Sequence, residues 1–154
     1  MEGIMKKLIV SFFVALSLIG CASGSNSNVG DFKGKEWKLV EVWIDNKNIN
    51  FDRKELVSHK ADHIFTLNFD AENISGTGAP NRYSAPYSID EKQVISVKPL
   101  RSTQMASLWQ PEKLREYDFF IYMQNLSELA INSGRLELTS KTENGRAVKL
   151  VFSL

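Results

Sequence analysis

Apolar and polar residues alternate along most of this chain, and a period of two commits it to a sheet with one dry face. The stretch Glu36-Trp37-Lys38-Leu39-Val40-Glu41-Val42-Trp43 is rich in β-branched and aromatic residues and runs into a turn at Asp45-Asn46. Further on, Phe65, Leu67 and Phe69 fall on one side of a strand, with Thr66 and Asn68 on the other. Val94 to Val97 reads as a short strand stopped by Pro99. Arg135 to Thr139 and Ala147 to Phe152 alternate on either side of Asn144-Gly145, the dipeptide that most strongly signals a hairpin because both its residues accept positive φ. Ser133-Gly134 turns another hairpin between Ala130-Ile131 and Leu136.

One segment departs from this pattern. From Pro111 to Asn125, Leu114, Tyr117 and Ile121 recur at helical spacing beside Phe120 and Met123. Pro111 suits a first helical position, and Glu112 favours the positive end of the helix dipole. The sequence therefore predicts a mainly β (α+β) fold: a curled antiparallel sheet or small barrel-like meander, with one packed helix inserted before the C-terminal hairpins. Closing such a sheet on itself removes exposed edges.

The N-terminus carries an address. Lys6-Lys7 precedes Leu8 to Ile19, an apolar run interrupted only by Ser11 and Ser17. That run is too short for a spanning helix, which needs roughly 20 residues, and matches the core of a secretory signal peptide. It ends in Leu18-Ile19-Gly20-Cys21, which resembles a bacterial lipobox; the thiol of Cys21, the only cysteine, would be acylated after cleavage before it. Two or three acyl chains, each methylene worth about 0.8 kcal/mol, anchor a protein stably where one does not. Residues 1–20 are read as the signal peptide, with Met5 the expected initiator, and 21–31 as a lipidated, flexible, small and polar tether. Residues 32–154 are left as one folded domain. Ala22, not aspartate, follows the cysteine, so the outer membrane is expected before the inner one. The membrane is contacted through the lipid alone, because no second apolar segment is long enough to span.

The folded part holds few chemical signatures. Lys and Arg total 19 against 18 Asp and Glu, a net charge of +1 with the basic residues scattered, which argues against nucleic acid. His59 and His63 sit four apart in His59-Lys60-Ala61-Asp62-His63, but the glutamate and further ligand of a zinc site are missing, so they read as solvated loop histidines. No nucleophile elbow or phosphate-cradling loop is present, and Asp90-Glu91 reads as turn charge. An enzyme, a metal and a cofactor are not expected, and the chain is expected to be a monomer.

The most unusual passage is Ile74 to Asp90, bent by Gly76, Gly78 and Pro80, with Tyr83 and Tyr87 four apart and so on one face of a strand. Here the sequence resembles the META domain, the HslJ-like family of bacterial envelope lipoproteins. That family has a glycine-rich turn into Cys-Asn-Arg-aromatic, then Thr-Arg-Met-x-Cys, a helix and a closing hairpin. This chain has Gly76-Thr77-Gly78-Ala79-Pro80-Asn81-Arg82-Tyr83, then Ser102-Thr103-Gln104-Met105-Ala106-Ser107, the helix from Pro111 and the strand Gly134 to Leu138. The resemblance covers nearly all of 35–154. Gln104 stands where the family has arginine, and Pro80 and Ser107 stand at the two family cysteines. The resemblance implies that those cysteines pair, a bridge typically worth about 2–5 kcal/mol, and hence that Pro80 and Ser107 lie close. Stiffening by Pro80 recovers about 0.4–1 kcal/mol where its φ suits. The family is associated with envelope and heat-stress responses and, in some members, virulence, with no agreed catalytic activity.

Asn81, Arg82, Tyr83 and Tyr87 form the candidate interaction patch, Arg and Tyr being the anchors enriched in interface hot spots. Asn81 bonding its own turn, Arg82 pairing with a carboxylate and Tyr83 half-buried is the structural alternative. Trp43 and Trp109 are open to both readings. Two functions compete: a non-enzymatic envelope lipoprotein that binds another envelope protein in stress tolerance or surface integrity, and a carrier holding a small hydrophobic ligand in a barrel pocket. Phe65, Leu67, Phe69, Leu136, Leu138, Leu150 and Phe152 suggest a filled interior, which favours the first.

Overall fold

The computed structural model describes residues 32–107 and 109–154. The expectations for the signal peptide, Met5, Cys21 and the tether fall outside the described residues.

The alternating segments form strands β1 (Glu36–Ile44), β2 (Lys47–Asn48), β3 (Thr66–Phe69), β4 (Asn73–Thr77), β5 (Arg82–Ile89), β6 (Ile95–Val97), β7 (Arg101–Ser102), β8 (Glu128–Asn132), β9 (Arg135–Lys141) and β10 (Ala147–Ser153). Helices α1 (Arg53–Ser58) and α2 (Glu116–Gln124) complete the fold. The sheet runs β6-β5-β4-β3-β1-β10-β9-β8, antiparallel throughout, with β2 added to β1 and β7 to β5. The N- and C-terminal strands meet at its centre, β1 lying on β10. Its two ends come together where Val94 bridges Glu128, the Ile95 N–H donates to the Ser127 carbonyl at 3.1 Å, and the Leu129 N–H donates to the Gln93 carbonyl at 3.1 Å. The result is a nearly closed barrel.

Its interior is filled. Phe32, Leu39, Phe65, Leu67, Phe69, Phe119, Leu136, Leu138, Leu150 and Phe152 are wholly buried. Aromatic rings meet through the centre: Phe32 edge-on to Phe69 at 4.7 Å, Tyr83 edge-on to Phe119 at 5.8 Å, and Phe65 tilted against Phe119 at 5.1 Å. The Trp37 indole N–H donates to the Phe32 carbonyl at 2.9 Å, satisfying the one polar atom that this large side chain brings inside.

Local details differ from expectation in ways that have causes. Thr66, on the other side of the strand from Leu67 and Phe69, is buried as well, and its hydroxyl is satisfied by accepting the Thr77 N–H at 3.1 Å. Asn144-Gly145 does turn a hairpin, but only Gly145 has positive φ (81°), in a longer turn closed by the Thr142 N–H to the Arg146 carbonyl at 3.0 Å. Both central residues are left-handed instead at Asp45-Asn46 (48° and 62°) and Ser133-Gly134 (51° and 75°), each joining directly paired strands. The helix expected from Pro111 begins at Glu116, since Arg115 is extended (φ −85°, ψ 151°) and the Gln110 side chain accepts the Glu116 N–H at 3.1 Å. Helix α1 was not anticipated. It is capped by Asp52, whose carboxylate accepts the Lys54 N–H at 2.8 Å. From α1, Arg53 reaches under the sheet end, donating to the Leu39 carbonyl at 3.1 Å and the Ile64 carbonyl at 3.0 Å and pairing with Asp62 at 3.2 Å. Among the described residues no helix is long and apolar enough to cross a membrane.

Candidate functional site

The bent passage, the segment after β7 and the start of α2 converge on Asn81. Its backbone N–H donates to Glu116 Oε1 at 2.6 Å and its side-chain N–H to Glu116 Oε2 at 2.7 Å. The Ala79 N–H also donates to Glu116 Oε1. The other side of the Asn81 amide faces the segment after β7: Oδ1 accepts the Met105 N–H at 2.6 Å and the Thr103 hydroxyl at 2.9 Å, while Nδ2 donates to the Met105 carbonyl at 3.1 Å. A side chain that looked able to cap its own turn thus joins three segments. Asn81 is only 6% exposed, so it holds the surface rather than forming it. Among the described residues no buried side-chain nitrogen or oxygen lacks a hydrogen-bond partner.

Two glycines let the chain come this close. A Cβ at Gly78 would stand 2.6 Å from Glu116 Oε1 and 2.7 Å from the Phe120 ring; one at Gly76 would stand 2.1 Å from the Thr66 carbonyl oxygen. Beside Gly76, the buried Tyr83 hydroxyl donates to that same Thr66 carbonyl at 2.8 Å. Burial pushes the Tyr83 phenol far above its ordinary range, which keeps it a donor. Tyr83 and Tyr87 do share a face. Tyr87 is half-buried, its hydroxyl donating to the Asp70 carbonyl at 2.9 Å, its ring meeting the Phe69 edge and lying under Lys33.

Of the four residues grouped as a patch, Arg82 is the exposed one. Among the described residues it pairs with no carboxylate; its backbone N–H donates to the Thr103 hydroxyl at 3.1 Å and its side chain is exposed. Trp43 is half-buried on the outer face, its indole N–H donating to Glu41 at 2.8 Å and Lys149 over its ring. The Arg135 and Trp43 hydrogen bonds hold the Glu41 carboxyl below its ordinary range.

Pro80 and Ser107 line one open pocket of about 210 Å³, together with His59, His63 and Trp109. His59 stacks on Trp109 with ring centres 4.2 Å apart and planes 17° from parallel. Both histidines are exposed, and no cluster of three or more metal-ligating side chains occurs among the described residues.

Glu116, Thr103 and Arg53 were not singled out from sequence. For α1 a signal existed: Asp52-Arg53-Lys54-Glu55 has capping-box spacing. For Glu116 there was none, since its partner lies 35 residues away.

A family model described as the META domain matches residues 30–152. No curated protein matches the chain. Two solved structures share the fold. One, a protein from Burkholderia xenovorans solved by NMR, is 16% identical with TM-score 0.53, covering 79% of this chain and 83% of its own. The other, a crystal structure of a DUF4847 family protein from Bacteroides vulgatus, is 14% identical with TM-score 0.52, covering 79% and 93%. The match over 30–152, most of the chain, shows that this chain belongs to the META domain family.

Proposed function

We propose that this chain is a non-enzymatic envelope lipoprotein, anchored through Cys21, whose META domain binds another envelope protein in stress tolerance or surface integrity. The observation that carries this reading is the filled barrel: Phe65, Leu67, Phe69, Leu136, Leu138, Leu150 and Phe152, all pointing inward, are wholly buried. A carrier of hydrophobic ligands needs that volume empty, so recognition falls to the outer surface. The Asn81 junction is consumed by internal hydrogen bonds and supplies a rigid mount for what lies outside it, Arg82 above all. The lipobox-like ending at Cys21 and the polar tether after it support the address.

The test is in-cell crosslinking of the lipidated protein followed by affinity capture and mass spectrometry. The proposal expects one recurrent protein partner whose yield falls in Arg82→Ala. A small hydrophobic molecule in the eluate, with no recurrent protein, would reverse it in favour of a carrier.

A further inference from the structure

Beside the Asn81 junction, two arginines stand together with no counter-charge paired to them among the described residues. Arg82 and Ser84 of β5 are exposed on one face, and β7 runs antiparallel beside them with Arg101 opposite Ser84 and Ser102 opposite Tyr83. The pairing continues one residue further, the Thr103 N–H donating to the Arg82 carbonyl at 3.0 Å. Cross-strand neighbours offset by two residues lie about 7–8 Å apart, a gap that long side chains bridge. These residues line a shallow, open surface groove of about 270 Å³.

Among the described residues the charge in this groove is uncompensated. Arg53 pairs with Asp62, Arg135 with Glu41 and Arg146 with Asp45, whereas among the described residues no ion pair engages Arg82 or Arg101. No carboxylate lines the groove; Glu36 belongs to the adjoining polar one, which Arg82 also borders, and it forms no ion pair with Arg82. The backbone under the pair is fixed. Thr103 spends its hydroxyl on Asn81 and on the Arg82 N–H, and Asn81 is held in turn by Glu116.

We infer that this groove binds a phosphate group. One guanidinium fork satisfies the two oxygens of a carboxylate, but two forks with the Ser84 hydroxyl on the same face match an anion whose oxygens point in several directions. The volume leaves space for whatever the phosphate is attached to. That is a phospholipid headgroup at the membrane or a soluble phosphorylated molecule. The site shares Arg82 with the partner surface proposed above but depends neither on that partner nor on the lipid anchor.

The test uses the full chain carrying Cys21→Ser, in neutral detergent, titrated with inorganic phosphate while the arginine Nε–H resonances are followed. Saturable shifts are expected at Arg82 and Arg101 and not at Arg115. Arg82→Gln or Arg101→Gln weakens binding about tenfold, as loss of a charge-assisted contact implies, while Arg115→Gln changes nothing. Vesicle sedimentation then separates the sources. Greater binding to phosphatidylglycerol than to phosphatidylcholine vesicles, lost in the Arg82→Gln, Arg101→Gln double variant, supports a headgroup. Phosphate binding without that gain supports a soluble ligand. Absence of saturable shifts, or equal phosphate affinity in a double variant whose spectrum is otherwise unchanged, overturns the inference. A protein partner captured in cells would stand even then.

Discussion

The carboxylate of Glu116 grips both donors of Asn81, its backbone N–H at 2.6 Å and its side-chain N–H at 2.7 Å, across 35 residues of chain. This pair fastens the first turn of α2 to the bend between β4 and β5 and, through the far side of the same amide, to the segment after β7.

Removing the carboxylate leaves the N–H groups of Ala79 and Asn81 without an acceptor in a partly buried place. Glu116→Ala is expected to lower stability by about 2–4 kcal/mol, read from urea unfolding. Glu116→Gln gives little rescue, because its NH₂ group would face either the Asn81 NH₂ or the two backbone donors. In a double-mutant cycle with Asn81→Ala, the two changes should be clearly non-additive. Additive losses would mean that the pair is incidental.

A second prediction concerns close approach. In Gly76→Ala the new methyl meets the Thr66 carbonyl, part of the backbone, at 2.1 Å, so β3 and β4 must part and Tyr83 must lose its acceptor. The expected cost is about 3 kcal/mol or more. In Gly78→Ala the obstacles are the Glu116 carboxylate and the Phe120 ring, side chains that can give way. Gly76→Ala should therefore be the more damaging, and thermal melts giving the reverse order would contradict the packing described.

How far these features were legible depends on their range. Period-two segments such as β1, β9 and β10 announce themselves because one face is buried over many residues. The two-residue strands β2 and β7 carry no pattern long enough to read, and α1 is too short to show an amphipathic repeat. The aromatic content of α2 marked it as core, but its first turn was misplaced because Gln110, a side chain outside the helix, supplies the cap. Asn81 and Arg82 were visible as unusual residues. Their opposite fates, one buried at the junction and one left outside, depend on Glu116 and β7, partners that no local pattern reveals.

Acid should act through Asp62. Hydrogen bonding from Lys38, with the added field of Arg53, holds its carboxyl below the ordinary range. A depressed folded value stabilises the protein fully above the unfolded carboxylate value of about 3.9 and loses that contribution as pH falls through the folded one. Melting temperature should drop on acidification below about pH 4, and Asp62→Asn should make the drop shallower while lowering the neutral-pH value. Parallel curves for the two proteins would show that Asp62 plays no such part.

The proposed location, and the envelope partner it implies, rest on Cys21, so the most direct measurement is the mass of the N-terminal peptide of the protein recovered from bacterial membranes, beside the same fractionation of Cys21→Ser. The account predicts a peptide that begins at Cys21 and carries acyl chains, and a Cys21→Ser protein that is neither acylated nor cleaved at that point. An unmodified Cys21 within an uncleaved chain, or a processed chain that begins elsewhere and leaves the membrane, would contradict it.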